Sequence, residues 1–238
     1  MKAFILAAGQ GTRLRPLTDH APKCLVPICG KPMLSIWLEL CRRHRIDEVL
    51  INLHAHADQV RSFLERHDDE VKVTVSHETT LLGSAGTLAA NRAWLGQDPQ
   101  FWIFYADVLT NIDLDRMMSA HLRSGLIATL GLYRVPNPTQ CGIAQVDENG
   151  VICEFHEKPA SPVGNLAFSG VMIARSDLLN HVPSRFPVDM GKDVLPALCG
   201  RMSAYEVTEY LIDIGTMPRY EYANRTWRGG ATGKAAPC

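Results

Sequence analysis

No stretch of this chain approaches the ~18 consecutive apolar residues that a membrane-spanning helix requires, so a membrane protein is not expected. Charge and glycine interrupt the first apolar stretch at once, which argues against a secretory signal. Neither sign of charge is in excess: 24 Lys and Arg stand against 25 Asp and Glu, a formal net charge of −1. That balance lacks the basic footprint of a nucleic-acid or anionic-membrane binder, so cations for phosphate must be concentrated locally. Cysteines number seven, an odd and scattered set with no CxxC pair, which excludes a disulfide framework and a zinc motif. Singly they read as small core residues or incidental surface thiols. His54 and His56 have an HxH spacing but no third ligand nearby, and no metal is assigned to them. These absences together point to a cytoplasmic chain. With 46% apolar residues in 238, it can bury a substantial core, as one large domain or a domain with a small lobe.

Strand and helix patterns alternate through the first half. Strands are expected at Ala3–Ala7, Val49–Leu53, Val71–Ser76, Phe101–Ala106 and Ile127–Tyr133. Helices are expected at Met33–His44, Asp58–Glu65, Ser84–Leu95 and Leu114–Ser124. Short connections between them signal an α/β doubly wound sheet, in which ligands bind beyond the carboxyl ends of the strands. The second half is richer in sheet. Ile143–Val146 and Val151–Glu157 flank Asn149-Gly150, a strong hairpin signal. Further strands are read at Ala167–Ile173, Tyr205–Val207 and Tyr210–Ile212, with helices at Gly191–Leu198 and Pro218–Arg225. The reading is one domain over 1–227, with a first half of about 1–134, a sheet-rich lobe of about 135–227, and a mobile tail at 228–238 that exposes Cys238.

Leu6 to Thr18, LAAGQGTRLRPLT, is the most informative segment. An apolar strand opens into a loop holding Gly9, Gly11, Arg13 and Arg15. Such a loop offers bare backbone N–H groups and fixed positive charge, which suit a polyphosphate. A dinucleotide fingerprint would need a third glycine where Leu14 stands, and a P-loop would need Gly-Lys-Ser/Thr, which does not follow. An arginine just after the second glycine instead sets a cation where charge develops in phosphoryl or nucleotidyl transfer.

This segment resembles the signature loop of the sugar-1-phosphate nucleotidyltransferases, and five later blocks continue the likeness in order. Pro22-Lys23-Cys24-Leu25-Val26-Pro27 is similar to the family's PK-x-L-x-P. Leu82-Gly83-Ser84-Ala85-Gly86 resembles its LGTAG turn, and Ala106-Asp107 its GD pair. Glu157-Lys158-Pro159 matches EKP, and Asp213-Ile214-Gly215-Thr216 matches DIGT. The resemblance implies a Rossmann-like mixed sheet with a smaller sugar-binding lobe, and the chain is too short to hold the β-helix domain of some relatives. It implies that a nucleoside triphosphate and a sugar 1-phosphate give a nucleotide-sugar and pyrophosphate, as a supply for cell-surface polysaccharide. The sugar phosphate is already ionised, so alignment and charge neutralisation are needed rather than a general base.

On that resemblance Arg13, Lys23 and Asp107 are the catalytic set. Leu6, Ala8, Gly9, Gly11, Thr12, Arg13, Lys23, Glu78, Gly83 and Asp107 would surround the nucleotide. Gly142, Glu157, Lys158, Ser169 and Gly170 would take the sugar 1-phosphate. Asp107 and Asp213 would hold Mg²⁺, a hard cation that prefers carboxylate oxygens. Cys141 and Phe168 stand where many relatives have an aromatic and Asn, so the sugar pocket departs from the glucose and thymidylyl pattern. A carboxylate at Glu78 suits the adjacent N–H donors of guanine and repels the carbonyls of uracil and thymine. GTP and a mannose- or heptose-type 1-phosphate are therefore expected. A UTP- or dTTP-dependent enzyme, for example for N-acetylmuramic acid 1-phosphate, is the alternative. A non-catalytic nucleotide-sugar-binding subunit is the alternative of another class. The oligomeric state is open, a dimer being one option.

Overall fold

The computed structural model describes residues 1–66 and 70–229. Cys238 and most of the expected tail lie outside them. In chain order the elements are β1 (Lys2–Leu6), β2 (Pro27–Ile28), β3 (Lys31–Pro32), α1 (Met33–Arg43), β4 (Glu48–Leu53), α2 (Ala57–Glu65) and β5 (Lys72–His77). Next come α3 (Ser84–Ala90), α4 (Arg92–Leu95), β6 (Gln100–Tyr105), β7 (Val108–Thr110), α5 (Leu114–Ser124) and β8 (Ala128–Arg134). The chain continues with β9 (Gly142–Val146), β10 (Ile152–Glu157), β11 (Leu166–Arg175), β12 (Met202–Glu206), β13 (Leu211–Asp213) and α6 (Met217–Thr226). The fold is α/β with a mixed sheet. No helix among the described residues is long and apolar enough to cross a membrane.

The chain divides into two compact units that interleave in sequence. The first comprises Met1–Leu81, Phe104–Ile112 and the chain from Glu209; the second comprises Leu82–Ile103 and Asp113–Thr208. In the first unit β4 lies between β1 and β5, parallel to both, with Leu6 opposite Asn52 and Asn52 opposite Ser76. The two-sided burial of β1 and β4 explains their nearly continuous apolar runs. Helix α1 buries Leu34, Trp37, Leu38 and Cys41, and Arg42 and Arg43 in its last turn complement the helix dipole. Trp37 stacks on Phe104 with centroids 4.6 Å apart. A short antiparallel pairing of β13 with β7 sets Asp213 opposite Val108.

In the second unit β8 pairs antiparallel with β11 and parallel with β12, and β9 pairs antiparallel with both β10 and β11. Helix α5 starts at Asp113, whose carboxylate accepts from the Arg116 amide at 3.0 Å, and ends at Gly125 in the left-handed region. Its buried His121 lies 2.9 Å, Nδ1 to Oγ1, from Thr129, which in turn lies 2.7 Å from the Ser203 hydroxyl.

Local chemistry moves several element boundaries from their sequence reading. The helix expected at Ser84–Leu95 breaks at Asn91, whose side-chain amide donates to the Thr87 carbonyl and competes with the helical backbone. The helix expected at Gly191–Leu198 is instead a π-type turn, Met190–Val194, followed by a 3-10 turn, Leu195–Leu198. Pro196 has no N–H to continue an α-helix there. The strand expected at Tyr205–Val207 begins earlier, at Met202, because parallel pairing with β8 extends from Ala128. The strand expected at Tyr210–Ile212 shifts by one residue to Leu211–Asp213, so that Asp213 itself is in the ladder.

Candidate active site

In the first unit the glycine loop leaves β1 with its path already fixed. The Ala7 amide donates to Asn52 Oδ1 at 2.7 Å, and the Ala106 amide donates to the Leu6 carbonyl at 3.1 Å. Gly11 adopts φ 64°, a conformation that favours glycine, and caps the 3-10 turn Thr12–Leu14. The Thr18 hydroxyl donates to the Gly11 carbonyl at 2.7 Å, and its methyl fills the space a Cβ on Gly11 would need. The amides of Gly9, Gln10 and Gly11 make no hydrogen bond with another described residue. They are available to an anion. Leu6 and the buried Ala8 belong to the backbone of this turn, while Thr12 and Arg13 are exposed.

The charged groups converge on one point. A Cβ added to Gly215 would lie 2.7 Å from Asp213 Oδ1 and 3.2 Å from both Arg13 Nη2 and Lys23 Nζ. Only a residue without a side chain lets two cations and a carboxylate meet there. Lys23 Nζ donates to Asp107 Oδ2 at 2.6 Å, and the lysine head group is largely shielded from solvent. The Ile214 amide donates to the Asp107 carbonyl at 2.9 Å, which holds the two aspartate-bearing segments together. Asp213 has both oxygens engaged: Oδ1 accepts from the Gly215 amide at 2.7 Å and Oδ2 from Arg219 Nη1 at 3.2 Å. Burial, then the charge of Asp107, pushes the Asp213 carboxyl above its ordinary range, against the pull of Lys23, the Gly215 amide and Arg219. Two adjacent carboxylates with hard oxygen donors suit a divalent cation. Arg15 is not in this group. It pairs with Asp19, at 3.1 Å, on the surface.

Glu78 follows β5 and is 4% exposed, not the solvated glutamate its residue type would suggest. Its Oε1 accepts from Asn52 Nδ2 at 2.8 Å, and its backbone carbonyl meets His54 Nδ1 at 2.8 Å. Asn52 thus bonds both the first amide of the glycine loop and the Glu78 carboxylate. The Glu78 carbonyl occupies one nitrogen of His54.

The second unit carries the remaining motifs. Gly83 has φ 81°, and a Cβ there would strike the Val188 carbonyl at 2.3 Å. The same carbonyl accepts from the amides of Ala85 and Gly86 at 3.0 and 3.1 Å, which pins the Leu82–Gly86 turn. The Glu157 carboxylate lies over two bare glycines: Cβ atoms on Gly142 and Gly191 would come within 2.7 and 2.6 Å of its Oε2. Its other oxygen, Oε1, pairs with Lys158 Nζ at 3.3 Å. Lys158 has φ 50°, an uncommon conformation for a residue with a side chain, and such strain concentrates at functional positions. Its amide donates to the Cys141 carbonyl at 3.0 Å. Ser169 and Gly170 form a bulge in β11, with Gly170 at φ 78°. The buried Ser169 hydroxyl accepts from the Val171 amide at 3.2 Å, and a Cβ on Gly131 would meet it at 2.6 Å. The hydroxyl keeps its own O–H as a donor.

No site role was read from the sequence for Asn52, Gly191 or Arg219. The register of β1 with β4, the approach of Gly191 to Glu157 and the start of α6 reveal them.

The nucleotidyl transferase family model matches residues 2–228. A UTP–glucose-1-phosphate uridylyltransferase of Synechocystis is 32% identical over 94% of this chain and 63% of its own length. A mannose-1-phosphate guanylyltransferase catalytic subunit beta of Drosophila pseudoobscura pseudoobscura is 32% identical over 90% of this chain and 59% of its own. The chain therefore spans about three fifths of the length of these relatives. Among solved structures, a Bacillus anthracis protein assigned as a glucose-1-phosphate thymidylyltransferase superposes with a TM-score of 0.84 at 25% identity, covering 94% of each chain. HddC from Yersinia pseudotuberculosis shares the fold with a TM-score of 0.80 at 23% identity, over 94% of this chain and 98% of its own. The chain belongs to the nucleotidyl transferase family.

Proposed function

We propose that the protein transfers a nucleotidyl group from a nucleoside triphosphate to a sugar 1-phosphate, releasing pyrophosphate. The observation that carries this reading is the meeting of Arg13, Lys23 and Asp213 over the bare Gly215, with Asp107 bonded to Lys23. Two cations beside free loop amides form a site for a polyphosphate. Two carboxylates in the same place have no use for a phosphate unless a cation lies between them. Asp107 and Asp213 would hold Mg²⁺. Bound there, the ion would neutralise charge on the α-phosphate and the departing pyrophosphate. Arg13 would stabilise the charge that grows on the transferred group, and Lys23 would exchange its Asp107 partner for phosphate oxygens. Glu157 would accept from sugar hydroxyls, and Lys158, strained and half of an ion pair, would take the sugar's phosphate.

The triphosphate we favour is GTP, with a mannose- or heptose-type 1-phosphate as acceptor. The Glu78 carboxylate is an acceptor-only group, and guanine presents two adjacent N–H donors. The similarity to a mannose-1-phosphate guanylyltransferase supports that choice. An equal identity to a uridylyltransferase supports UTP as the second reading. The role would be cytoplasmic supply of nucleotide-sugar for cell-surface polysaccharide.

Asp107→Asn and Asp213→Asn test the core of this reading, since each keeps the shape and removes a metal-attracting charge. Turnover should fall by orders of magnitude in both while circular dichroism stays native. Near-normal turnover in either variant would contradict the metal assignment.

A further inference from the structure

Each aspartate of the candidate metal pair has its own cation. Lys23 is bonded to Asp107 and Arg219 to Asp213. Lys23 also lies in the cluster over Gly215, where an arriving triphosphate would give it a new partner. Arg219 reaches Asp213 from the first turn of α6, six residues beyond it, and its side chain is 40% exposed. Its guanidinium meets the one Asp213 oxygen that the Gly215 amide does not take.

We propose that Arg219 is a positioning residue and resident counter-ion for Asp213, which weakens divalent-cation binding to the nucleotide-free enzyme so that the metal arrives with the triphosphate. The effect is electrostatic. A divalent ion at Asp213 must approach a fixed positive charge bonded to the same carboxylate, and that repulsion lowers its affinity. A triphosphate adds several negative charges beside the pair and offsets the repulsion. Metal and nucleotide therefore bind cooperatively, because neither alone neutralises the cluster. This rests on the reading that Asp107 and Asp213 hold the metal.

The test is a titration of the purified protein with Mn²⁺ alone, at low ionic strength, following free Mn²⁺ by electron paramagnetic resonance. Wild type, Arg219→Gln, Arg219→Met, Arg219→Lys and Asp213→Asn are compared. Removing the charge should tighten Mn²⁺ binding roughly three- to tenfold in both Arg219→Gln and Arg219→Met. Arg219→Lys, which keeps the charge, should stay within about twofold of wild type. The gap should shrink in about 0.5 M KCl, as screening of a half-exposed charge requires. Binding by Arg219→Gln and Arg219→Met no tighter than wild type overturns the proposal, and weaker binding would show that Arg219 only orients Asp213. Asp213→Asn distinguishes the underlying reading: it should lose the site, and Mn²⁺ binding equal to wild type would remove both the metal assignment and the proposal.

Discussion

Gly215 shows how much one missing side chain decides. Asp213 Oδ1, Arg13 Nη2 and Lys23 Nζ all lie where its Cβ would stand. Gly215→Ala changes no charge, yet it forces the two cations and the carboxylate apart. Activity should fall at least about a hundredfold, the scale of losing one preorganised electrostatic contact, while the melting temperature changes little. Retained activity would show that the convergence has no role. Lys158→Ala belongs to the same scale and separates the two substrates. It should raise KM for the sugar 1-phosphate several-fold and leave KM for the triphosphate nearly unchanged; equal losses would indicate a collapsed site instead. Lys158 is singled out in the sequence only through the family resemblance of Glu157-Lys158-Pro159, and Gly215 is there part of a motif with no role of its own. Arg219 was not legible, since a lone arginine early in a helix reads as solvated until its bond to Asp213 is seen. Ser169 lies in the register shift of β11, and that its hydroxyl accepts from the Val171 amide is visible only in the ladder.

At the scale of elements, β1 and β4 were readable because buried parallel strands are continuous apolar runs, and β6 is a buried apolar run as well. Boundaries failed where a single side chain or proline overrides the pattern, as at Asn91 and Pro196. The contact of α5 with β8 and β12 yields a pH prediction. His121 is buried, and burial, then the charge of Arg175, lowers its pKa from 6.5. Above pH 6.5 the ring is neutral in both folded and unfolded chains, so it adds no pH dependence. As pH falls below 6.5 the unfolded chain takes the proton first, and stability is lost until the folded ring also titrates. The melting temperature should therefore drop between pH 7 and pH 5. Part of that slope should vanish in His121→Gln, whose side-chain amide can replace the contact to Thr129. An unchanged slope would show that His121 is not responsible.

For the whole molecule, the two units divide the chemistry: the first contains the glycine loop, both aspartates and Glu78, and the second contains the Leu82–Gly86 turn and the Glu157-Lys158 pair. No single stretch of sequence displays this division, because each unit is assembled from separate segments of the chain. Six motifs in order made the family legible, whereas the burial of Glu78 and its bond to Asn52 could not be read from the sequence. Selectivity for a base at a buried carboxylate should be strong, since a mismatched base leaves polar groups unpaired. Glu78→Gln should lower GTP activity selectively and narrow its lead over UTP and dTTP. The measurement that tests the central claim most directly is pyrophosphate release from ATP, GTP, CTP, UTP and dTTP, each against a panel of sugar 1-phosphates with Mg²⁺. The account predicts metal-dependent release that requires both substrates and is fastest with GTP and a mannose- or heptose-type 1-phosphate. Fastest release with UTP or dTTP would contradict the guanine assignment, and no release from any pair would contradict nucleotidyl transfer itself.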